Sequence, residues 1–208
     1  LGTLAAVIIY FWRDVVAMMR GTVDLGRNIR TRNANLTFNI IVGTVPILLV
    51  GLLLKVLHLD EYIRSALLVA INAIVFGIAL FVADTYGPSK DTVSDMDWKD
   101  ALFIGMAQSL ALSPGTSRSG ITMTAARALG YVRPEAARFS FLLSIPANGA
   151  ASLLVIGDAL RSGQSITGPV VVTGLLTFFV ALGTITVLMR LVKFMSFLPF
   201  VVYRVVLG

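Results

Sequence analysis

The chain has 208 residues, 57% of them hydrophobic, 13% charged and none of them cysteine, with a mean hydropathy of +0.87. A soluble domain is about 45–50% apolar and about 25% charged, so too little polar surface remains here to cover a globule in water, and the composition specifies an integral membrane protein. Disulfides, thiolate metal sites and thiol nucleophiles are excluded, and the net charge of +6 records which loops face the cytoplasm: no Lys/Arg run with interleaved aromatic residues occurs, so no nucleic-acid partner is expected.

The first apolar run, Leu1 to Trp12, stops at Arg13, well short of the roughly 20 residues that cross about 30 Å of hydrocarbon. No small-residue cleavage site follows it, so the sequence reads as starting inside a helix, an incomplete first span. Uncharged stretches long enough to cross follow at Asn33 to Leu54, Ser65 to Ala83, Phe139 to Gly157 and Gln164 to Met189. A weaker segment from Phe194 to Tyr203 resumes after Arg204 and predicts a short or tilted last span with Arg204 near an interface. Trp12, Tyr62, Tyr86 and Trp98 stand beside charged residues at the ends of these stretches, as interfacial anchors do. No tandem repeat or heptad pattern divides the chain, which reads as a single transmembrane domain over residues 1–208.

One apolar stretch behaves differently. Ala101 to Leu112 is helical in character but meets Ser113-Pro114-Gly115, where Pro114 lacks an N–H and biases Ser113 away from the α region. A polar segment follows, Thr116-Ser117-Arg118-Ser119-Gly120, and Ile121 to Leu129 then resumes a helix that Gly130 caps. The pattern predicts a helix-loop-helix hairpin over about 101–130. If the hairpin re-enters its own side of the membrane, Lys and Arg divide 13 inside to 4 outside, whereas a crossing hairpin leaves 9 to 8; without Arg118 and Arg127, which sit within the hairpin, the divisions are 11 to 4 and 9 to 6. The re-entrant arrangement satisfies the positive-inside rule and puts the carboxyl terminus outside. The expected fold is therefore all-α and polytopic, with about six spans plus one re-entrant hairpin.

Ser113 to Gly120 concentrates hydroxyls, two glycines and a guanidinium in eight residues. That chemistry suits phosphate. Gly115 and Gly120 admit close backbone approach, Thr116, Ser117 and Ser119 offer hydroxyl donors, the resumed helix aims its positive end at the same place, and Arg118 supplies a two-pronged donor. An arginine at the bilayer centre costs roughly 2.5–3.5 kcal/mol on insertion scales, so it needs a partner or a ligand. A carboxylate or other anion fits this chemistry nearly as well, and a polar helix break with a snorkelling arginine is the bland reading.

The string Gln108-Ser109-Leu110-Ala111-Leu112-Ser113-Pro114-Gly115-Thr116-Ser117-Arg118-Ser119-Gly120, followed by Phe139-Ser140-Phe141-Leu142-Leu143-Ser144-Ile145-Pro146, closely resembles the bacterial undecaprenyl-diphosphate phosphatase, or bacitracin-resistance, family. Pro114 to Gly120 resembles that family's second signature, and Leu1 to Asp14 resembles the stretch after its first. The resemblance implies an inverted-repeat fold in which this chain carries the second re-entrant hairpin. The first signature, with its paired glutamates, Ser-Ser pair and histidine, is expected upstream of Leu1. It implies removal of the terminal phosphate of undecaprenyl diphosphate at the outer face of the bacterial cytoplasmic membrane, recycling the carrier lipid for cell-wall synthesis. It also implies dependence on a divalent cation, magnesium or calcium, whose ligands, like the general base, are expected in the first signature and not among the residues here. On matched residues, Arg118 and Ser117 are the implied catalytic groups, Arg118 holding the diphosphate. Ser119, Thr116, Gly115 and Gly120 form the rest of the cradle, Thr122 extends it by one turn, and Gln108 gives support from the preceding helix. The expected partners are the polyprenyl diphosphate lipid, the membrane and a second copy of the chain in a homodimer.

Other polar residues receive weaker readings. His58, the sole histidine, sits with Lys55, Asp60 and Glu61 as a solvated interfacial group, and Asp91, Asp95, Asp97 and Asp100 read as a solvated loop whose spacing matches no calcium site. Arg127, Arg133, Glu135 and Arg138 flank Pro134 and are expected at the surface or on lipid headgroups, while Pro146 and Asn148 suggest a structural kink near the cavity. The competing function is an inverted-repeat transporter or flippase for an anionic or lipid-phosphate substrate, since broken helices also bind cargo at the midplane.

Overall fold

A computed structural model describes residues 1–57, 65–88, 96–161 and 168–208. Among these residues there are only helices and turns. The first apolar run forms α1 (Gly2–Tyr10), and at Phe11 the chain bends by 85° into α2 (Trp12–Gly26). The basic segment expected as a connection is thus largely helical. Its apolar residues Val15, Met18 and Met19 line a groove with Ile40 and Ile41 of α3 (Arg32–Val56), while Arg13, Arg20 and Arg27 stay exposed. Gly21 makes that packing close: a Cβ there would lie 2.3 Å from the Asn33 carbonyl oxygen and from Thr37 Oγ1.

Four helices are long and apolar enough to cross a membrane: α3, α4 (Ala66–Tyr86), α7 (Arg133–Arg161) and α8 (Gly168–Leu191). The bent pair α1 and α2 makes a fifth if counted as one span. The last helix, α9 (Leu198–Leu207), has 10 residues, in keeping with the short final segment read from the sequence. Outward faces carry the apolar side chains a lipid environment wants, Leu48, Leu49 and Leu52 on α3 and Val172, Phe179 and Val187 on α8. Pro146 lies inside the continuous α7.

Between α4 and α7 sits the hairpin. Asp97 caps α5 (Trp98–Ser109) by accepting from the Asp100 N–H at 2.9 Å, a 3-10 turn occupies Leu110–Leu112, and α6 (Arg118–Ala128) leads back. The two arms pack against each other, and α5 also packs on α3 through small residues: a Cβ on Gly105 would fall 2.2 Å from the Gly43 carbonyl oxygen. Gly130 ends α6 as expected, with φ of 99°. Its N–H bonds to the Arg127 carbonyl and the Tyr131 N–H to that of Ala126, a Schellman closure.

The expectation that Arg127, Arg133 and Arg138 face the surface is corrected by the other end of α6. Asp84, buried near the end of α4, accepts from Arg127 Nε at 3.0 Å, Arg133 Nε at 2.7 Å and the Phe197 N–H at 3.0 Å. Arg127 also donates to the main-chain carbonyls of Asp84 and Tyr131, and Tyr131 donates to Asp100 at 2.5 Å. Arg138 pairs with Glu135 at 3.1 Å and with Asp14. These charges were misread because the carboxylates that neutralise them come from distant sequence. The contacts gather the end of α4, the start of α5, the end of α6 and the start of α7 at one end of the bundle, so the hairpin returns to the side from which it entered. Asp97 and Asp100 are likewise engaged, as a helix cap and as a tyrosine partner, and do not belong to a merely solvated loop. His58, Asp60, Glu61, Tyr62, Asp91 and Asp95 lie outside the described residues.

Candidate active site

The turn between α5 and α6 owes its shape to particular residues. After Pro114, Gly115 adopts φ of 86°, where a Cβ would lie 2.3 Å from the Val69 carbonyl oxygen, so only glycine lets the loop press on α4. Ser117 stands at φ of 65°, uncommon for a residue with a Cβ. It caps α6, its Oγ accepting from the Gly120 N–H at 3.3 Å. The helix therefore begins at Arg118, three residues before the expected Ile121, and Arg118 and Ser119 occupy its first turn.

From that turn Arg118 and Ser119 face a cavity of about 800 Å³ enclosed with α1, α7 and α8. Arg118 Nη1 donates to Asn148 Oδ1. Ser140, Ser144 and Asn148 repeat at intervals of four along α7, one face of a helix, and all line the cavity. Thr3 of α1 and Thr177 and Thr184 of α8 add hydroxyls, and Val7, Phe141, Val180, Ile185 and Leu188 make the remaining walls apolar. The lining thus combines one cationic side chain and several hydroxyl and amide groups with apolar walls.

The residues predicted as one cradle are divided between the two faces of the loop. Arg118 and Ser119 line the cavity, whereas Ser117, Gly115, Thr116 and Gly120 do not. Thr116 is fully buried, its carbonyl held by Arg204, and Gly120 lies against the same arginine, where a Cβ would sit 2.5 Å from Nη1. Arg204 accordingly meets the loop and not an interface. Thr122 does not line the cavity itself: one turn on from Arg118 it lies behind the wall, its hydroxyl donating to the Arg118 carbonyl at 2.9 Å and lying 2.6 Å from Oγ of the cavity-lining Ser140. Gln108 is completely buried in α5, both amide atoms without a partner among the described residues. Sequence reading gave Asn148 only a structural role and gave Ser140 and Ser144 none; their four-residue spacing was the available signal.

A magnesium- or calcium-type ion seeks carboxylate oxygens. The cavity lining includes no Asp or Glu, and among the described residues no three His, Asp or Glu side chains converge. The side chains present do not fit such an ion.

The sequence profile of the family described as Bacitracin resistance protein BacA matches residues 1–208. The chain belongs to this family. Relatives in the BacA family include an undecaprenyl-diphosphatase of Erythrobacter litoralis, 41% identical over 229 aligned residues that cover all of this chain and 80% of that protein. Undecaprenyl-diphosphatases of a Jannaschia species and of Roseobacter denitrificans are each 42% identical, over all of this chain and 78% of their own lengths. The re-entrant hairpin and its arginine therefore belong to a BacA-family membrane protein, and the cavity at Arg118 is its candidate active site.

Proposed function

We propose that this chain is a membrane phosphatase that hydrolyses undecaprenyl diphosphate to undecaprenyl phosphate and inorganic phosphate. The observation that carries the reading is the cavity's mixed lining: a guanidinium at a helix N-terminus with serine, threonine and asparagine side chains, set among apolar walls suited to an isoprenoid. The relatives' name, a diphosphatase, favours hydrolysis over transport.

In this reading Arg118 grips two oxygens of the diphosphate, and the positive end of α6 adds to the field at the same place. Asn148 orients the guanidinium by accepting one of its hydrogens, while Ser119, Ser140 and Ser144 offer further donors. A water oxygen ends on the terminal phosphorus, its proton released to solvent, as the bond to the bridging oxygen breaks. The bridging oxygen leaves with the lipid phosphate, and the charge spread over the transferred group is what Arg118 stabilises. Positioning and neutralisation are most of what phosphoryl transfer asks of a protein. Ser117 starts the helix at Arg118 by capping α6 through an Oγ lone pair, which leaves its O–H free to donate.

The membrane assigned is the bacterial cytoplasmic membrane, with the Asp84 end of the bundle inside and the Arg118 cavity opening outward, as the charge division of 11 to 4 without the hairpin's Arg118 and Arg127 supports. A second copy of the chain is the proposed protein partner, with the exposed apolar face of α8 as available surface. The deciding experiment is phosphate release from undecaprenyl diphosphate by the purified full-length protein in detergent with magnesium or calcium present, with multi-angle scattering for the oligomer. Failure to release phosphate would overturn the assignment.

A further inference from the structure

Two polar side chains within the bundle are not used by the chemistry described above: Asn72, on the second turn of α4, and Arg204 on α9. Both reach the re-entrant loop from the side away from the cavity. Asn72 Nδ2 donates to Ser113 Oγ at 2.8 Å and to the Pro114 carbonyl at 2.7 Å. Arg204 Nη2 donates to the carbonyls of Gly115 at 2.9 Å and Thr116 at 2.8 Å, with the main-chain carbonyl of Asn72 itself 3.5 Å from the same nitrogen. Three consecutive loop carbonyls are thus held by two side chains, and neither of those side chains lines the cavity that Arg118 enters.

The location makes this costly to arrange. At 1.5 Å per residue Asn72 stands about 9 Å from the start of α4 and about 18 Å from Asp84 near its end, so the loop that Asn72 holds lies within a hydrocarbon core of about 30 Å. Arg204 Nη1 is buried there without a partner among the described residues, against the space that Gly120 leaves by lacking a Cβ. A guanidinium at that depth needs a reason, and the carbonyls it binds supply one. Carbonyl oxygens carry partial negative charge, and a loop that holds a diphosphate must keep them away from it. The adjoining Ser117, at φ of 65°, is a conformation that persists only where its surroundings impose it.

We propose that Asn72 and Arg204 are positioning residues for the phosphatase reaction. They draw the Pro114, Gly115 and Thr116 carbonyl dipoles toward α4 and α9 and hold Ser117 in its left-handed conformation, so that α6 starts at Arg118 and presents cationic groups to the cavity. This rests on the phosphatase reading, and the experiment separates the two. In the purified full protein, Asn72→Ala and Arg204→Lys are each expected to lower kcat for undecaprenyl diphosphate at least about tenfold while KM changes less than threefold. The double variant should fall no further than the worse single one, since both act through one loop. Asp84→Asn, which weakens the remote end of the bundle, supplies the structural control and should keep kcat per folded molecule. A kcat within twofold of the parent in either variant, or an equal kcat loss in Asp84→Asn at matched loss of thermal midpoint, overturns the proposal. A readout independent of turnover is the maleimide reaction rate of Ser117→Cys, the sole thiol in this cysteine-free chain. Adding Asn72→Ala should raise that rate at least fivefold, and an unchanged rate overturns the clamp even where phosphate release fails and takes the phosphatase reading with it.

Discussion

The two ends of α6 carry an arginine each, and they are treated in opposite ways. At the C-terminal end Arg127 is saturated: Asp84 neutralises it, and carbonyls of Asp84 and Tyr131 take further donors. At the N-terminal end Arg118 has one side-chain partner among the described residues, the neutral Asn148, and otherwise faces a cavity. Burying a guanidinium without an anion is unfavourable, and a protein that completes the ion pair at one end of a helix shows that it is able to do so at the other. The difference teaches that Arg127 belongs to the fold and Arg118 to a ligand that brings its own negative charge.

The largest test of this contrast is Arg118→Lys. A point charge does not reproduce a planar fork, and arginines acting on transferring phosphoryl groups are worth about 10³–10⁵ in rate. We expect kcat/KM to fall at least about 100-fold, with the thermal midpoint in detergent unchanged. Near-normal turnover would remove Arg118 from the site.

The mirror experiment is Asp84→Ala, which strands two arginines, one of them 10% exposed at its side chain. Removing one partner of a buried pair costs about 3–5 kcal/mol, so thermal unfolding in detergent should shift down strongly. Phosphate release per folded molecule should remain near the parent value. A stable Asp84→Ala protein would show that the two ends of α6 differ less than the contacts suggest. Asn148→Ala follows in size: losing a charge-assisted hydrogen bond of about 1.5–3 kcal/mol should lower kcat/KM roughly 10- to 100-fold with stability retained, read by the same assays. An unaffected kcat/KM would mean that Asn148 does not orient the guanidinium.

Much of this architecture is legible in the residues themselves. Apolar runs give α3, α4, α7 and α8, and Pro114 and Gly130 give the break and the end of the hairpin, because these signals are local. The charge division anticipates the hairpin's return, which the contacts around Asp84 bear out. What escaped was every feature that depends on a distant partner. Arg127 read as a surface charge because Asp84 lies 43 residues away, and Arg204 as an interfacial one because the loop it holds lies 88 and 89 residues away. The loop itself misled by proximity in sequence. Neighbouring hydroxyls looked like one cradle, but a helix that starts at Arg118 puts Arg118 and Ser119 on the cavity wall, sets Thr122 behind Ser140 one turn on, and leaves Thr116 buried against Arg204.

Thr122 gives the smallest and sharpest test of that last point. If it belonged to the phosphate cradle, removing its hydroxyl would weaken substrate binding and leave stability alone. Its Oγ1 instead lies 2.6 Å from Ser140 Oγ and donates to the Arg118 carbonyl, with the residue only 1% exposed. Thr122→Val keeps the side-chain shape and leaves the Ser140 hydroxyl without this partner. An intramolecular hydrogen bond contributes about 0.5–1.5 kcal/mol net, so the thermal midpoint should drop by a few degrees, KM should change less than twofold, and Thr122→Ser should restore stability. A rise in KM of fivefold or more with an unchanged midpoint would return Thr122 to the cradle and blur the division between the ligand-facing and fold-facing sides of α6.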